Sequence, residues 1–126
     1  MTTKRIYIAG KKDGVDRTAI RIKFETAAKK LRKEYSHDFV FDPFAHIEEC
    51  IKQIKVYGSA PLMNENNRKT ILGICIEMLL TCDAIYLLPD WQHSEDAMLE
   101  AMIARMFGYE IINSQSVRTA GLPYSF

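Results

Sequence analysis

Short apolar runs alternate along the chain with longer segments in which apolar residues recur every three or four positions. Four runs rich in β-branched and aromatic residues predict β-strands over residues 4–9, 39–41, 82–89 and 109–112. The third run, CDAIYLLP, is almost continuously apolar. Such a run is typical of a parallel strand that is covered on both faces.

The segments with helical spacing predict four α-helices, over residues 17–35, 46–56, 67–81 and 95–107. Asp16 and Ser94 are placed to cap the first and last helices at their N-termini, and Gly108 is placed to end the last one. Residues 57–67, rich in Gly, Pro and Asn, predict a loop. The tail, residues 113–126, shows no periodicity and is assigned no element.

Strands that alternate with helices predict one α/β domain over residues 1–126, with a doubly wound, mostly parallel sheet of four or five strands and helices on both faces. In such sheets ligands bind at the carboxyl ends of the strands. Three segments should therefore surround one crevice: residues 10–14, the loop after Phe41, and residues 89–94.

Composition narrows the function classes. The 126 residues carry 17 Lys and Arg against 16 Asp and Glu, a net charge of +1, which argues against a nucleic-acid or membrane-surface binder. No apolar stretch approaches the length of about 20 residues that spans a bilayer, so we expect no membrane association and a cytoplasmic location. The three cysteines and three histidines have no zinc-ligand spacing, so we expect free thiols, no metal and no cofactor.

Glu100 is the first candidate for chemistry, because it is the only charged residue in the segment AMLEAMIA. An acid among apolar neighbours can have a raised pKa, which suits a nucleophile or a general acid. Alternatively, Glu100 is an ordinary helix former that reaches solvent through a gap. The periodicity alone favours this second interpretation.

Two loops supply further candidates. Gly10 and Gly14 would let the backbone approach an anion, although the spacing matches neither a dinucleotide fingerprint nor a P-loop and also fits an ordinary strand-to-helix turn. Ser94 could bind a phosphate or a sugar hydroxyl, or simply cap its helix. Trp91 could form a wall for a base, or cover the edge of the sheet.

Two blocks of sequence, KRIYIAGKKDG and CDAIYLLPDWQHSEDAMLEAMIARMFGYEII, resemble the nucleoside 2-deoxyribosyltransferase superfamily, in particular its small bacterial and phage members. The resemblance follows the order of elements over residues 4–112. It implies a flavodoxin-like domain that forms a homodimer or a larger homo-oligomer. It also implies a nucleoside or nucleotide as ligand, since active members cleave the N-glycosidic bond of a deoxynucleoside or its 5′-monophosphate.

The resemblance also implies roles for individual residues. Glu100 matches the glutamate that attacks the anomeric carbon and forms a covalent glycosyl ester. Tyr7, Ala9 and Gly10 match the loop that lies against the sugar and the base. Ser94 matches the start of the loop that receives a 5′-hydroxyl or 5′-phosphate. We expect substrate to be bound by Tyr7, Ala9, Gly10 and Ser94, together with Trp91.

The chain departs from the pattern of active members at two places. Glu95 and Asp96 stand where relatives show Lys and Gly, and two acids would repel a phosphate. Cys75 stands where an aspartate protonates the leaving base. The acid would then come from Asp42 or Asp90, which we add to the substrate-binding set, or activity would be reduced or absent.

The sequence therefore predicts a protein that binds a nucleoside or nucleotide and cleaves or transfers at its N-glycosidic bond through a glutamate nucleophile. The alternative is a catalytically inactive module of the same fold that senses a nucleotide or binds a protein. A third possibility is a structural or assembly protein. Burial of Glu100 beside a pocket would favour the first two over the third.

Overall fold

A computed structural model of the protein describes residues 4–13, 16–35, 39–56, 65–113 and 118–120. Within these ranges the elements are, in chain order, β1 (Arg5–Ala9), α1 (Arg17–Glu34), β2 (Phe39–Phe41), α2 (Pro43–Val56), α3 (Glu65–Leu79), β3 (Ala84–Leu87), a 3₁₀ turn (Trp91–His93), α4 (Glu95–Met106), β4 (Glu110–Asn113) and β5 (Arg118–Ala120).

The strands form one sheet in the order β2-β1-β3-β4-β5. The first four are parallel, and β5 runs antiparallel to β4. This is the strand order of flavodoxin-like folds. The predicted doubly wound, mostly parallel sheet of four or five strands is therefore confirmed.

Successive side chains of β1 point to opposite faces of the sheet, and each face has its own core. Ile6 and Ile8 pack against α1 in one cluster, which defines the α1 face. Tyr7 and Ala9 pack in a second cluster with residues of α3 and α4, which defines the α4 face. Helices thus cover both faces, as predicted.

The predicted helix caps are confirmed. Asp16 Oδ1 accepts a hydrogen bond from the N–H of Ala19 at 3.0 Å, and the Ser94 hydroxyl accepts one from the N–H of Ala97 at 3.2 Å. Gly108, just beyond α4, has a φ of 70°, in the left-handed region that glycine adopts without strain.

Some predicted boundaries are wrong. Helix α2 begins at Pro43 rather than at residue 46, because Asp42 Oδ1 accepts a hydrogen bond from the N–H of Ala45 at 3.1 Å and proline is favoured in a first turn. Strand β3 is shorter than predicted, since Cys82 still belongs to the turn after α3 and donates its N–H to the Leu79 carbonyl. Most of the predicted loop 57–67 lies outside the described residues.

The tail, which the sequence left without an assigned element, contributes strand β5 in its described part. Strand β5 pairs with β4, with Thr119 opposite Ile111. A strand of three residues is too short to show a period in the sequence, and it forms because the edge of β4 offers backbone partners. Residues 114–117 and 121–126 of the tail lie outside the described part of the chain.

No helix among the described residues is both long and apolar enough to cross a membrane. Within the same ranges, no group of three or more His, Cys, Asp or Glu side chains is placed to hold a metal ion.

Candidate functional site

Helix α4 places an acid against the centre of the sheet. Its buried residues form one stripe, Ala97, Glu100, Ala101 and Ala104. Because alanine side chains are small, the helix lies close to the α4 face, and Glu100 is 0% exposed. The expectation that Glu100 reaches solvent through a gap is therefore wrong. The spacing of the three alanines is the signal in the sequence that could have revealed its burial.

Both carboxylate oxygens of Glu100 have a partner from β1 or the loop after it. The hydroxyl of Tyr7 donates a hydrogen bond to Oε2. The ammonium nitrogen of Lys12 lies 3.4 Å from Oε1. Tyr7 is held in turn by its ring, which stacks on Phe41 with centroids 5.8 Å apart. The carboxylate is thus fixed between a phenol and an ammonium group.

Burial and charge act on the pKa of Glu100 in opposite directions. Burial raises the pKa because it penalises the anion, while the Lys12 ammonium and the Tyr7 hydrogen bond lower it in part. The result is a pKa above the ordinary value. Burial and the nearby Glu100 both raise the pKa of Tyr7, so the phenol keeps its proton and acts as the donor.

Cys75 of α3 lies beside this pair, as the resemblance to the transferases implies. Burial raises the pKa of the Cys75 thiol to about 11, against the opposing effect of Lys12. At neutral pH the group is therefore a neutral thiol. Such a thiol is a poor substitute for the aspartate expected to protonate a leaving base.

A cleft of about 370 Å³ opens at the carboxyl ends of β1, β2 and β3. Its walls combine apolar and charged side chains: Lys12, Asp13, Arg17, Phe44, Ile47, Arg68, Ile71, His93, Ser94, Glu95 and Asp96. The prediction of one crevice holds for residues 12–13 after β1 and 93–94 after β3. After β2, the lining residues Phe44 and Ile47 belong to helix α2 rather than to the predicted loop. Lys12 both lines the cleft and contacts Glu100, so it links the cleft to the carboxylate.

A family model described as "Domain of unknown function (DUF4406)" matches residues 4–113. The chain belongs to this family. No curated protein sequence matches the chain.

The structure is similar to that of a 2-deoxyribosyltransferase from Bacillus psychrosaccharolyticus, with a TM-score of 0.57 and 13% sequence identity. The match covers 86% of this chain and 70% of the other. At this identity the likeness shows a shared fold. The resemblance to nucleoside 2-deoxyribosyltransferases is therefore confirmed at the level of the fold.

Of the residues predicted to bind substrate in this DUF4406 chain, Ser94 lines the cleft. Trp91 instead packs against the core of the α4 face. Ala9 and Gly10 are buried at the end of β1. A Cβ atom on Gly10 would lie 2.4 Å from Cδ1 of Leu88, so close backbone packing already requires this glycine.

Asp90 and Asp42, the two suggested general acids, also lie outside the lining of the cleft. Asp90 accepts a hydrogen bond from the N–H of Lys11 at 3.1 Å and pairs with the ammonium of Lys23. These contacts of Asp90 stabilise the loop after β1. Asp42 caps α2, and burial raises the pKa of its carboxyl group. Their role as general acid stays a prediction.

The two acids at the start of α4 have a cationic partner. A guanidinium nitrogen of Arg68 lies 3.1 Å from Asp96 and 3.7 Å from Glu95. Their expected repulsion of a phosphate is therefore reduced, because Arg68 also lines the cleft and offsets negative charge there.

Sequence reasoning missed Lys12, the residue that links the cleft to Glu100. Its signal was its place in the loop GKKDG, directly after a buried strand whose carboxyl end faces the crevice. Spacing could not show which lysine of the pair points inward. That choice depends on how Asp90 and Lys23 hold the backbone of Lys11.

Proposed function

We propose that this DUF4406 protein binds a deoxynucleoside or its 5′-monophosphate and cleaves or transfers at the N-glycosidic bond, with Glu100 as nucleophile. The observation that carries the proposal is the fully buried Glu100 carboxylate, held by Tyr7 and Lys12 behind a cleft at the carboxyl ends of the strands. The shared fold with a 2-deoxyribosyltransferase supports it.

The chemistry follows from the position of the carboxylate. Cleavage of the N-glycosidic bond passes through a transition state with oxocarbenium character, which a nearby anion in a dry site stabilises. A Glu100 oxygen bonds to C1′ of the sugar as the C1′–N bond breaks, and the departing base takes up a proton. Water or a second base then attacks C1′ and releases Glu100 as a carboxylate.

The cleft is lined by both apolar and charged side chains, which suits a nucleoside. Phe44, Ile47 and Ile71 form the apolar part, against which a base can pack. Ser94, at the N-terminus of α4, can donate its hydroxyl proton to a sugar oxygen while it accepts the N–H of Ala97.

The test is incubation with a panel of deoxynucleosides and their 5′-monophosphates, followed by chromatography for released base. We expect release by the wild type and a loss of at least about 10³-fold in Glu100→Ala, as for removal of a nucleophile. Glu77→Gln, which removes an exposed carboxylate from α3, is the matched control and should retain full activity. Equal rates in Glu100→Ala and wild type would refute the proposed role of Glu100.

Cys75 favours the alternative, a catalytically inactive module of the same fold that senses a nucleotide or binds a protein. Its neutral thiol stands beside Tyr7 and Glu100, where an acid would assist departure of the base. In that case no base is released from any compound of the panel. Binding of a nucleoside or nucleotide would instead raise the melting temperature of the protein.

The predicted homodimer or larger homo-oligomer stays a prediction. Helix α4 presents several exposed apolar side chains on its outer side: Met98, Leu99, Met102 and Met106. Glu100 itself is buried within its own chain, so its burial does not depend on a second subunit.

A further inference from the structure

Lys12 lines the cleft and also contacts Glu100. Its side chain is only 11% exposed, and its ammonium lies 3.4 Å from a Glu100 oxygen. The backbone of the preceding residue, Lys11, is held at both its N–H and its carbonyl. Asp90 accepts a hydrogen bond from the N–H, and the Lys23 ammonium donates one to the carbonyl at 2.8 Å. The position of Lys12 beside Glu100 is therefore fixed by the contacts of its loop.

The other groups that face Glu100 cannot replace this charge. Tyr7 from β1 is a neutral phenol, and Cys75 from α3 is a neutral thiol. Asp96, one turn earlier on α4, is an acid whose charge opposes ionisation of Glu100. Of the described groups that act most strongly on the carboxylate, Lys12 is the cation.

We propose that Lys12 is a positioning residue that keeps the buried Glu100 ionised and holds its Oε1 oxygen toward the cleft that Lys12 lines. Without the ammonium, a carboxyl group with no exposed surface takes up a proton, because the anion would be buried without a counter-charge. A protonated carboxyl group has lost the charge that a nucleophile needs. The catalytic meaning of Lys12 rests on the proposed function, whereas its effect on ionisation does not.

The test is a carbon-13 NMR titration of the Glu100 carboxyl group in protein labelled at glutamate, with Glu100→Gln used to assign the signal. We expect Lys12→Met to raise the titration midpoint of Glu100 by about 1–3 pH units, the usual effect of one close opposite charge. Lys11→Met, which removes the same charge one residue earlier, is the matched control and should leave the midpoint near that of the wild type.

An unchanged midpoint in Lys12→Met would overturn the proposal. Lys12→Arg keeps the positive charge and should return the midpoint most of the way to the wild-type value. A midpoint in Lys12→Arg equal to that of Lys12→Met would also overturn the proposal, because charge would then have no effect. If Lys12→Met does not fold, as judged by its thermal melt, Lys12→Gln is titrated by the same criterion.

The titration separates failure of this inference from failure of the proposed function. If the wild type releases base, the acid limb of its pH–rate profile should move to higher pH in Lys12→Met by the same amount as the NMR midpoint, while Lys11→Met keeps the original limb. If the wild type releases no base, the glycosyl-transfer proposal fails, and the NMR midpoints still decide the role of Lys12.

Discussion

The two faces of the sheet share their strands but differ in what they bury. On the α1 face, Ile6, Ile8, Phe24 and Leu31 form an apolar core, and Phe24 stacks on Phe44 with ring centroids 5.9 Å apart. On the α4 face, the buried side chains include a phenol, a thiol and a carboxylate, set among alanines.

This difference separates stability from chemistry within one small fold. Burying apolar surface stabilises the protein by about 25 cal/mol per Å², whereas burying a carboxylate opposes folding unless partners offset its desolvation. Both faces bury apolar side chains that stabilise the sheet. Among the described residues, the α4 face alone also buries a carboxylate, whose desolvation its partners must offset. Neighbouring residues of β1 contribute to each, since Ile6 and Ile8 flank Tyr7.

The largest expected effect is on the α1 face. Phe24→Ala removes a side chain with 0% exposure and should lower the free energy of unfolding by about 3–5 kcal/mol, the usual range for a buried phenylalanine. Because Phe24 lies on the opposite side of the sheet from Glu100, turnover at saturating substrate should persist below the lowered melting temperature. Substrate binding should weaken, since Phe24 supports the ring of Phe44, which lines the cleft. Urea denaturation and the chromatographic assay measure the two effects.

The matched control for Phe24→Ala is Phe39→Ala. Phe39 is 45% exposed at the start of β2 and lies under the guanidinium of Arg5, 4.4 Å from the ring centroid. Its truncation should destabilise by about 1 kcal/mol or less. A similar loss of stability in the two variants, or loss of turnover at saturating substrate in folded Phe24→Ala, would break the proposed separation of the faces.

The sequence predicted the elements better than it predicted their contacts. Strand β2 has the predicted bounds, and Asp16 and Ser94 cap their helices as predicted. These features are local, since a hydrophobic run or a capping side chain is read within a few residues. Strand β5 was missed because its pairing partner β4 supplies the information that three residues lack.

The candidate site shows the same limit. Its segments were predicted, because parallel strands bring their carboxyl ends to one edge. Which side chains point inward depends on contacts between distant segments, such as Asp90 with Lys11, 79 residues apart. Glu100 stands out in the sequence because it is the only charged residue in AMLEAMIA. Its burial and the inward position of Lys12 depend on such distant contacts, so the periodicity alone does not establish them.

The next largest expected effect is the loss of stability in a variant of Gly10, which follows β1 where the two faces of the sheet meet. Gly10→Ala would bring a Cβ atom to 2.4 Å from Cδ1 and 2.9 Å from Cβ of Leu88, a residue of the α1-face cluster. We expect a loss of about 1–3 kcal/mol in stability through overpacking, and reduced base release because the loop that carries Lys12 must shift.

Gly73→Ala is the control for this substitution. Gly73 is exposed in α3, and a Cβ atom there meets nothing within 4 Å, so alanine should stabilise the helix by about 0.5–1 kcal/mol. Truncating Leu88 to alanine in the Gly10→Ala background should cost less than it does alone, because part of the clash is removed. Additive effects in that double variant would contradict the packing argument.

The smallest effect concerns the pH dependence of stability on the α4 face. The folded-state pKa of Glu100 is raised above its ordinary value of 4.5, chiefly by burial. Between the two pKa values the folded protein binds a proton that the unfolded chain has released, so stability falls as pH rises through this window.

Glu100→Gln cannot titrate at this position. The free energy of unfolding of the wild type should therefore decline relative to Glu100→Gln from pH 4.5 upward, by about 1.4 kcal/mol for each unit of pKa shift, and level off above the folded-state pKa. Urea denaturation of both proteins at several pH values measures this difference, and a difference that stays constant or grows with pH would show that the buried carboxylate does not oppose folding.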